Sequence, residues 1–500
     1  MAAAEHPLER ALVGVCACMG RPPIPPRSRA ACVELLQSFF LWASPSAESG
    51  CGEEILARGS PAMRASLVLT EAVKAVSRGG GQVTGAGTAE EGPELKSQTA
   101  EESGKSNLVK GDVEKTGNKD VAPSPKVKAL SAPVVLDAQC VLDCATAPLL
   151  LLCGVHIQEA AWSDPQARCL SNQLLLSLLD AAHCPSVTEL LRGSPEEPYS
   201  PYRAALGLLG PRLRKDTWPS HPDASLVFPW LLFQVPRPFL SEYLSRVMPP
   251  SLLLSDDYKL KNKILGVRCL HHIVKNVPAA ELRQYNRALV VYHALRNHLY
   301  STEHDLIEVV LPCLLDLFPI LHKPPPALGA YKKDAEDPAD QVMQLLLTHM
   351  EMEHRINLRR LYARTLPAFQ ERLGVGIVRH LKRLLQVIVG YLEVYDGPAE
   401  AARLSILETL QGTIKYAWPR IPPRLPLLLK SLLKLIHELS TEANQNSPSI
   451  TETLLKEATE CLLLLDHCCK GQVKAALKDI PTVCNKPLLR KCIQKVLQGT

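Results

Sequence analysis

From about residue 137 onward the chain alternates leucine-rich stretches of helical length with proline breaks. Over 378–398, Leu381, Leu384, Leu385, Ile388, Tyr391, Leu392 and Tyr395 recur at the i, i+3, i+4, i+7 spacing of a helix with one apolar face. The same rhythm predicts helices over 134–161, 167–179, 201–213, 223–233, 258–276, 279–298, 302–321, 340–350, 353–373, 376–395, 399–418, 425–439, 449–469, 472–480 and 487–498. No alternating strand pattern separates them, so helices must bury helices. The fold class expected is all-α: an α-solenoid of degenerate HEAT/armadillo-like helical pairs. A helix with its turn takes about 20 residues and a pair about 40, near the roughly 40–47 of those repeats. The stretch 425–439 is so apolar that it reads as an inner helix covered on two faces.

Upstream, short helical candidates lie near 8–19, 31–42 and 63–76 and make an N-terminal helical region, 1–77. Residues 78–133 are rich in Gly, Ser, Thr, Glu and Lys and hold no aromatic residue. Such a segment buries too little surface to offset chain entropy, so a disordered insert is expected there. Ser124-Pro125 inside it is a candidate phosphorylation site. The solenoid is then 134–500. The 41 prolines are expected mostly between helices, with Pro249-Pro250 as one break.

Composition narrows the function classes. The 56 basic and 51 acidic side chains leave a net charge of +5 over 500 residues, which argues for neither nucleic acid nor an anionic membrane as partner. The chain has 16 cysteines but no CxxC pair, and Cys140, Cys144, Cys153, Cys269, Cys313, Cys461 and Cys468 sit in apolar runs. Free thiols packed as small hydrophobes in a reducing compartment are expected. Neither a signal peptide nor a run of about 18 uncharged apolar residues able to span a membrane is evident.

No phosphate-binding loop, nucleophile elbow or HExxH motif occurs. Gly79-Gly80-Gly81 lacks the strand and helix a phosphate loop needs. His271 and His272 are adjacent, about 100° apart on a helix, and cannot share a metal as an i, i+4 pair does. His349 and His354, and His467 beside Cys468-Cys469, read as packing residues. No catalytic residue, metal or cofactor is expected. Asp256 and Asp257 are placed to cap the following helix. Arg355, Arg359, Arg360, Arg364, Arg372, Arg379, Lys382 and Arg383 make the most basic segment, either a ridge for an acidic partner or a solvated face.

The stretch SLLLSDDYKLKNKILGVRCLHHIVKNVPAAELRQYNRALVVYHALRNHLY at 251–300, with LPCLLDLFPIL, LTHMEMEHRINLRRLYARTLPAF and RHLKRLLQVIVGYLEVYDGPAEAARLSILETL after it, closely resembles the Tel-two-interacting protein two family over about 218–483. The resemblance implies a HEAT-like, non-catalytic subunit of the Triple-T cochaperone complex, working with Tel-two and Tti-one. It implies Hsp90 and R2TP as linked machinery and phosphatidylinositol-3-kinase-related kinases as clients, in DNA-damage and nutrient signalling, in cytoplasm and nucleus. The alternative class is a free-standing solenoid adaptor in transport or trafficking. The partner-binding surface is expected around Asp256, Asp257 and Tyr258 and around Arg379, Lys382 and Arg383.

Overall fold

The computed structural model describes residues 7–22, 26, 28–44, 52–79, 137–193, 200–322, 337–441, 446–478 and 486–499. Positions 80–133 of the expected insert, Ser124-Pro125 and most of the 323–338 loop lie outside the described residues. All regular elements among the described residues are helices. Two compact units divide at Leu208/Leu209.

The first unit begins with α1 (Pro7–Cys18), α2 (Arg29–Ala43) and α3 (Gly52–Gly79). They are followed by α4 (Ala138–Ile157), α5 (Pro165–Ala181), the short α6 (Val187–Arg192) and α7 (Pro201–Leu209). Helix α3 packs between α1 and α5, while α2 packs on α4. The N-terminal helices therefore share a core with α4 and α5, although the sequence boundaries at 77/78 and 133/134 set them apart. Starts are fixed by side-chain caps: Ser28 accepts from the Ala31 amide, Asp137 from Cys140 and Asp164 from Ala167.

Helix α4 is long and apolar enough to cross a membrane by length and composition, although Asp143 interrupts its uncharged run. Its only charged side chain is Asp143. Yet 83% of its apolar window is buried, against α2, α3 and α5. It is the innermost helix of this unit.

The second unit runs through α8 (Pro222–Phe233), α9 (Leu244–Ser255), α10 (Leu260–Asn276), α11 (Ala279–Arg283), α12 (Arg287–His298), α13 (His304–Leu321) and α14 (Pro338–Met352). It continues with α15 (Ile356–Leu373), α16 (Leu381–Leu392), α17 (Ala401–Ala417), α18 (Leu425–Leu439), α19 (Pro448–Cys468), α20 (Gln472–Leu477) and α21 (Pro487–Gln498). Helices α10, α13, α15, α17 and α19 contact one another in that order and form one layer. Helices α14, α16 and α18 follow one another in the other layer, where α9 meets α12. Each pair contacts its neighbours, which is the solenoid arrangement. The α10-layer helices recur about every 45 residues, inside or just above the HEAT period.

Several helices depart from expectation, each for a physical reason. The expected 279–298 helix is broken because Tyr285 and Asn286 take left-handed backbone angles (φ 52° and 57°), which no right-handed helix continues. Pro249 and Pro250 do not end a helix but lie inside α9; Pro61, Pro148, Pro229, Pro312, Pro319 and Pro367 are also internal. Each loses one backbone bond and is held by helix packing instead. Helix α16 buries Leu381, Leu384, Leu385, Ile388, Tyr391 and Leu392 as its spacing predicts, but Tyr395 lies beyond its end and is exposed. Helix α18 is not wrapped on two faces: it buries one stripe and leaves Leu427 exposed.

Candidate partner-binding surface

At the α9–α10 corner the two backbones nearly touch. A Cβ built on Gly266 would lie 2.1 Å from the Ser255 backbone nitrogen, so only glycine fits. Ser255 Oγ meets His298 Nε2 at 2.8 Å, tying α9 to the end of α12. Asp257 is buried: one carboxylate oxygen accepts from the Tyr258 amide at 2.8 Å and the other from Asn262 Nδ2 at 2.6 Å. Neither Asp256 nor Asp257 caps α10 as expected; its N-cap is Lys259, with no side-chain bond. Asp257 instead locks the corner from within. Of the expected trio, Asp256 and Tyr258 face solvent. Tyr258 is 82% exposed with the Lys259 ammonium 5.5 Å over its ring.

In the basic segment Arg355, Arg364, Arg372, Arg379 and Lys382 are exposed. Most of its arginines staple one helix to the next. Arg379 Nη1 pairs with Asp340 Oδ2 at 2.7 Å, and buried His380 meets the other oxygen of Asp340 at 2.7 Å. Arg383 grips Glu351 with two hydrogen bonds and donates a third to Thr348 at 2.9 Å. That contact holds the Glu351 carboxyl below its ordinary range. Arg360 pairs with Asp396 at 2.9 Å and Arg364 with Glu308 at 3.0 Å. Arg359 lies 3.9 Å over the Tyr391 ring. Lys382 is exposed and makes no ion pair among the described residues.

The adjacent histidines serve the same end. His271 bonds Asp316 on α13 at 2.7 Å, and His272 bonds the Val235 carbonyl at 2.9 Å, burial pushing its pKa down. His349 lies between Tyr300 and Tyr362, while His467 is exposed.

The turns inside the helical pairs fall on one edge of this unit, and side chains in or beside neighbouring turns bond from one pair to the next. Arg355 in the α14–α15 turn donates to the Thr302 carbonyl in the α12–α13 turn at 3.1 Å. Arg360 reaches Asp396 in the α16–α17 turn, where Glu400 accepts from Asn446 of the next turn at 3.1 Å. Large side chains stand exposed along this edge: Tyr258, Tyr300, Met352, Ile356, Val394 and Tyr395. Arg379 lies instead in the connection between pairs, at the opposite edge. The two clusters expected to form one surface are therefore not brought together.

Sequence reasoning missed the polar knot at the α16–α17 turn. Gly397 (φ 95°) lets the chain turn beneath the Arg360 guanidinium, and Glu400 (φ 46°) is fully buried. Arg403, 1% exposed, bridges Glu400 at 2.9 Å and Glu438 of α18 at 3.0 Å. Asp396 accepts from the Ala402 amide at 2.6 Å, holding the start of α17. The only local signal was the Asp396-Gly397-Pro398 turn. Nothing in the spacing marks Arg403 as buried. His304, Asp305 and Glu308 bring potential ligand atoms within 4.8 Å of one another at the start of α13, but Arg364 engages Glu308.

A profile of the Tti2 family matches residues 175–398. TELO2-interacting protein 2 of Homo sapiens is 52% identical over 354 residues, 70% of this chain and 69% of the human one. The Mus musculus protein of the same name is 50% identical over 353 residues, 71% of this chain and 69% of its own. Among solved structures, importin beta in an ammonium sulfate condition superposes with a TM-score of 0.45 at 13% identity, covering 97% of this chain and 60% of that one. The human and mouse relatives match 70% and 71% of this chain at about half identity, and on that evidence the chain belongs to the Tti2 family.

Proposed function

We propose that this chain is a non-catalytic scaffold subunit of the Triple-T cochaperone complex. In this role it holds Tel-two and Tti-one together in an assembly that stabilises and matures phosphatidylinositol-3-kinase-related kinases. Through those clients it supports DNA-damage and nutrient signalling. It reaches Hsp90 and R2TP indirectly, works in cytoplasm and nucleus, and needs neither nucleic acid nor a membrane.

The observation that carries the proposal is the 52% identity over 354 residues to a human protein named for its interaction with TELO2. The geometry of the second unit supports it. A bonded row of turns presents Tyr258, Tyr300 and Met352 to solvent. Tyrosine and methionine are over-represented at protein interfaces. The family resemblance adds the other subunits and the clients.

The test is affinity purification of the tagged full chain from its own cells at physiological salt, with mass spectrometry of what co-elutes. Near-stoichiometric Tel-two and Tti-one homologues with traces of giant kinases is the expected result. A prey list without either homologue overturns the proposal.

A further inference from the structure

A groove of about 690 Å³ opens where the end of α18, the first half of α19 and α21 meet. Two helix faces make its walls. Thr451, Leu455 and Thr459 recur on α19, and Leu488, Lys491, Cys492 and Lys495 on α21, at the three- and four-residue spacing of one face. The floor is apolar: Leu439, Leu455 and Cys492 are buried in it, and Leu488 is left 40% exposed. The rim carries mostly one sign of charge. Lys456, Lys491 and Lys495 stand exposed there against a single carboxylate, Glu452. Lys491 and Lys495 make no ion pair among the described residues.

We propose that this groove docks an acidic amphipathic helix of a partner protein, with the helix's apolar face on the floor and its carboxylates on Lys456, Lys491 and Lys495.

The polar groups of the lining select a helix over an extended segment. An extended segment brings backbone N–H and C=O groups that the site itself must satisfy. Here those partners are already committed. Ser440 Oγ donates to the Ile436 carbonyl at 2.6 Å, Thr441 Oγ1 to the Glu438 carbonyl at 2.5 Å and Thr459 Oγ1 to the Leu455 carbonyl at 2.6 Å. The Asn446 amide donates to Glu400 at 3.1 Å. No strand edge exists among the described residues for an added strand to pair with. A helix bonds its own backbone and asks only for apolar contact and opposite charge.

Length and sign follow from the same walls. Helix α19 lines the groove from Pro448 to Thr459, about 16 Å at a rise of about 1.5 Å per residue, so three turns of a partner helix fill it. A basic helix would meet three ammonium groups, whereas Asp or Glu beside the apolar face complements them. The groove opens beside the α18–α19 turn, whose Asn446 is bonded back to Glu400, and so extends the turn edge by one pair. Floor and rim would take such a helix from any protein, inside the Triple-T assembly or outside it.

The experiment places the photo-crosslinking residue p-benzoylphenylalanine at Leu488 of the tagged full chain in its own cells. Leu427, exposed on α18 outside the groove, is the control position. Linked peptides are sequenced by mass spectrometry. The expected result, from Leu488 and not from Leu427, is a partner segment with apolar residues at i, i+3, i+4 and i+7 and Asp or Glu beside them. A labelled synthetic peptide of that segment should bind the purified chain and lose about tenfold or more in affinity for the double variant Lys491→Glu, Lys495→Glu. The variant Lys491→Arg, Lys495→Arg should keep the affinity, and both should melt with the parent. Links confined to this chain or to a second copy of it overturn the proposal. So does a basic or non-helical segment, the same segment from both positions, or an affinity that charge reversal leaves unchanged. The cross-link is read on a chain with both lysines in place, so it decides the question even if a variant fails to fold.

Discussion

Lys382 and its two arginine neighbours separate surface charge from packing. Lys382→Glu changes charge without breaking an ion pair among the described residues. Its melting temperature should match the parent's, so any loss of co-purified partner reports docking alone. Arg379→Glu and Arg383→Glu also break the bonds to Asp340 and Glu351. Both pairs are partly exposed, so each substitution should cost only about 1 kcal/mol of stability in chemical unfolding. The α9–α10 corner divides the same way. Asp257→Ala strands the Asn262 amide and the Tyr258 N–H and should cost about 1–3 kcal/mol. Tyr258→Ala should leave stability within about 0.5 kcal/mol and weaken partner binding if the edge is used. Binding unchanged by both Tyr258→Ala and Lys382→Glu would remove both expected surfaces.

His156 gives the first unit a pH dependence. It is fully buried, neither ring nitrogen has a well-formed hydrogen bond, and burial pushes its pKa down to about 4. The unfolded chain takes up the proton near pH 6.5 and the folded unit only near 4. Stability should therefore be full above pH 6.5 and fall as pH drops towards 4, by about 3 kcal/mol at the limit. Denaturant titrations of the parent and of His156→Leu across that window should diverge, the variant lacking this part of the slope. At this scale the sequence was a poor guide. It marks Arg360, Arg379 and Arg403 as basic, but Asp396, Asp340 and Glu438, which they reach, are distant along the chain, a separation that no local pattern encodes.

At the scale of the element, spacing carried most of the information. Helices α18 and α21 have the bounds the apolar rhythm predicts, because a one-faced stripe with a proline start leaves little freedom. The misses have local causes. Helix α9 was hidden by Pro249-Pro250, since packing can hold a helix that propensity disfavours. The break at Tyr285-Asn286 carried no glycine to announce it. Two substitutions test how elements are joined. Gly266→Ala drives a methyl group into the α9 backbone and should cost about 3 kcal/mol or more. Arg403→Met leaves Glu400 buried without its cation and should cost about 3–5 kcal/mol. Thermal unfolding of each variant checks both. A loss below about 1 kcal/mol for Arg403→Met would mean that the Glu400 carboxylate finds water or another donor in place of Arg403.

At the scale of the whole molecule, the all-helical repeat class was legible because stripe after stripe of leucine has no burial solution except other helices. The division at Leu208/Leu209 was not, because the residues between α3 and α4 separate in sequence what packing unites. The row of bonded turns was also invisible, since it follows from layer order and not from any motif. That row sets a ruler. Neighbouring helices pack at about 8–10 Å, so the three steps from Tyr258 to Tyr395 measure roughly 30 Å. A ligand touching both ends needs a helix of roughly 20 residues or an extended segment of roughly nine. A motif of four residues reaches two adjacent turns at most. Whatever binds this edge is chosen by its length as much as by its chemistry, and trimming it one turn at a time should lower its grip in steps.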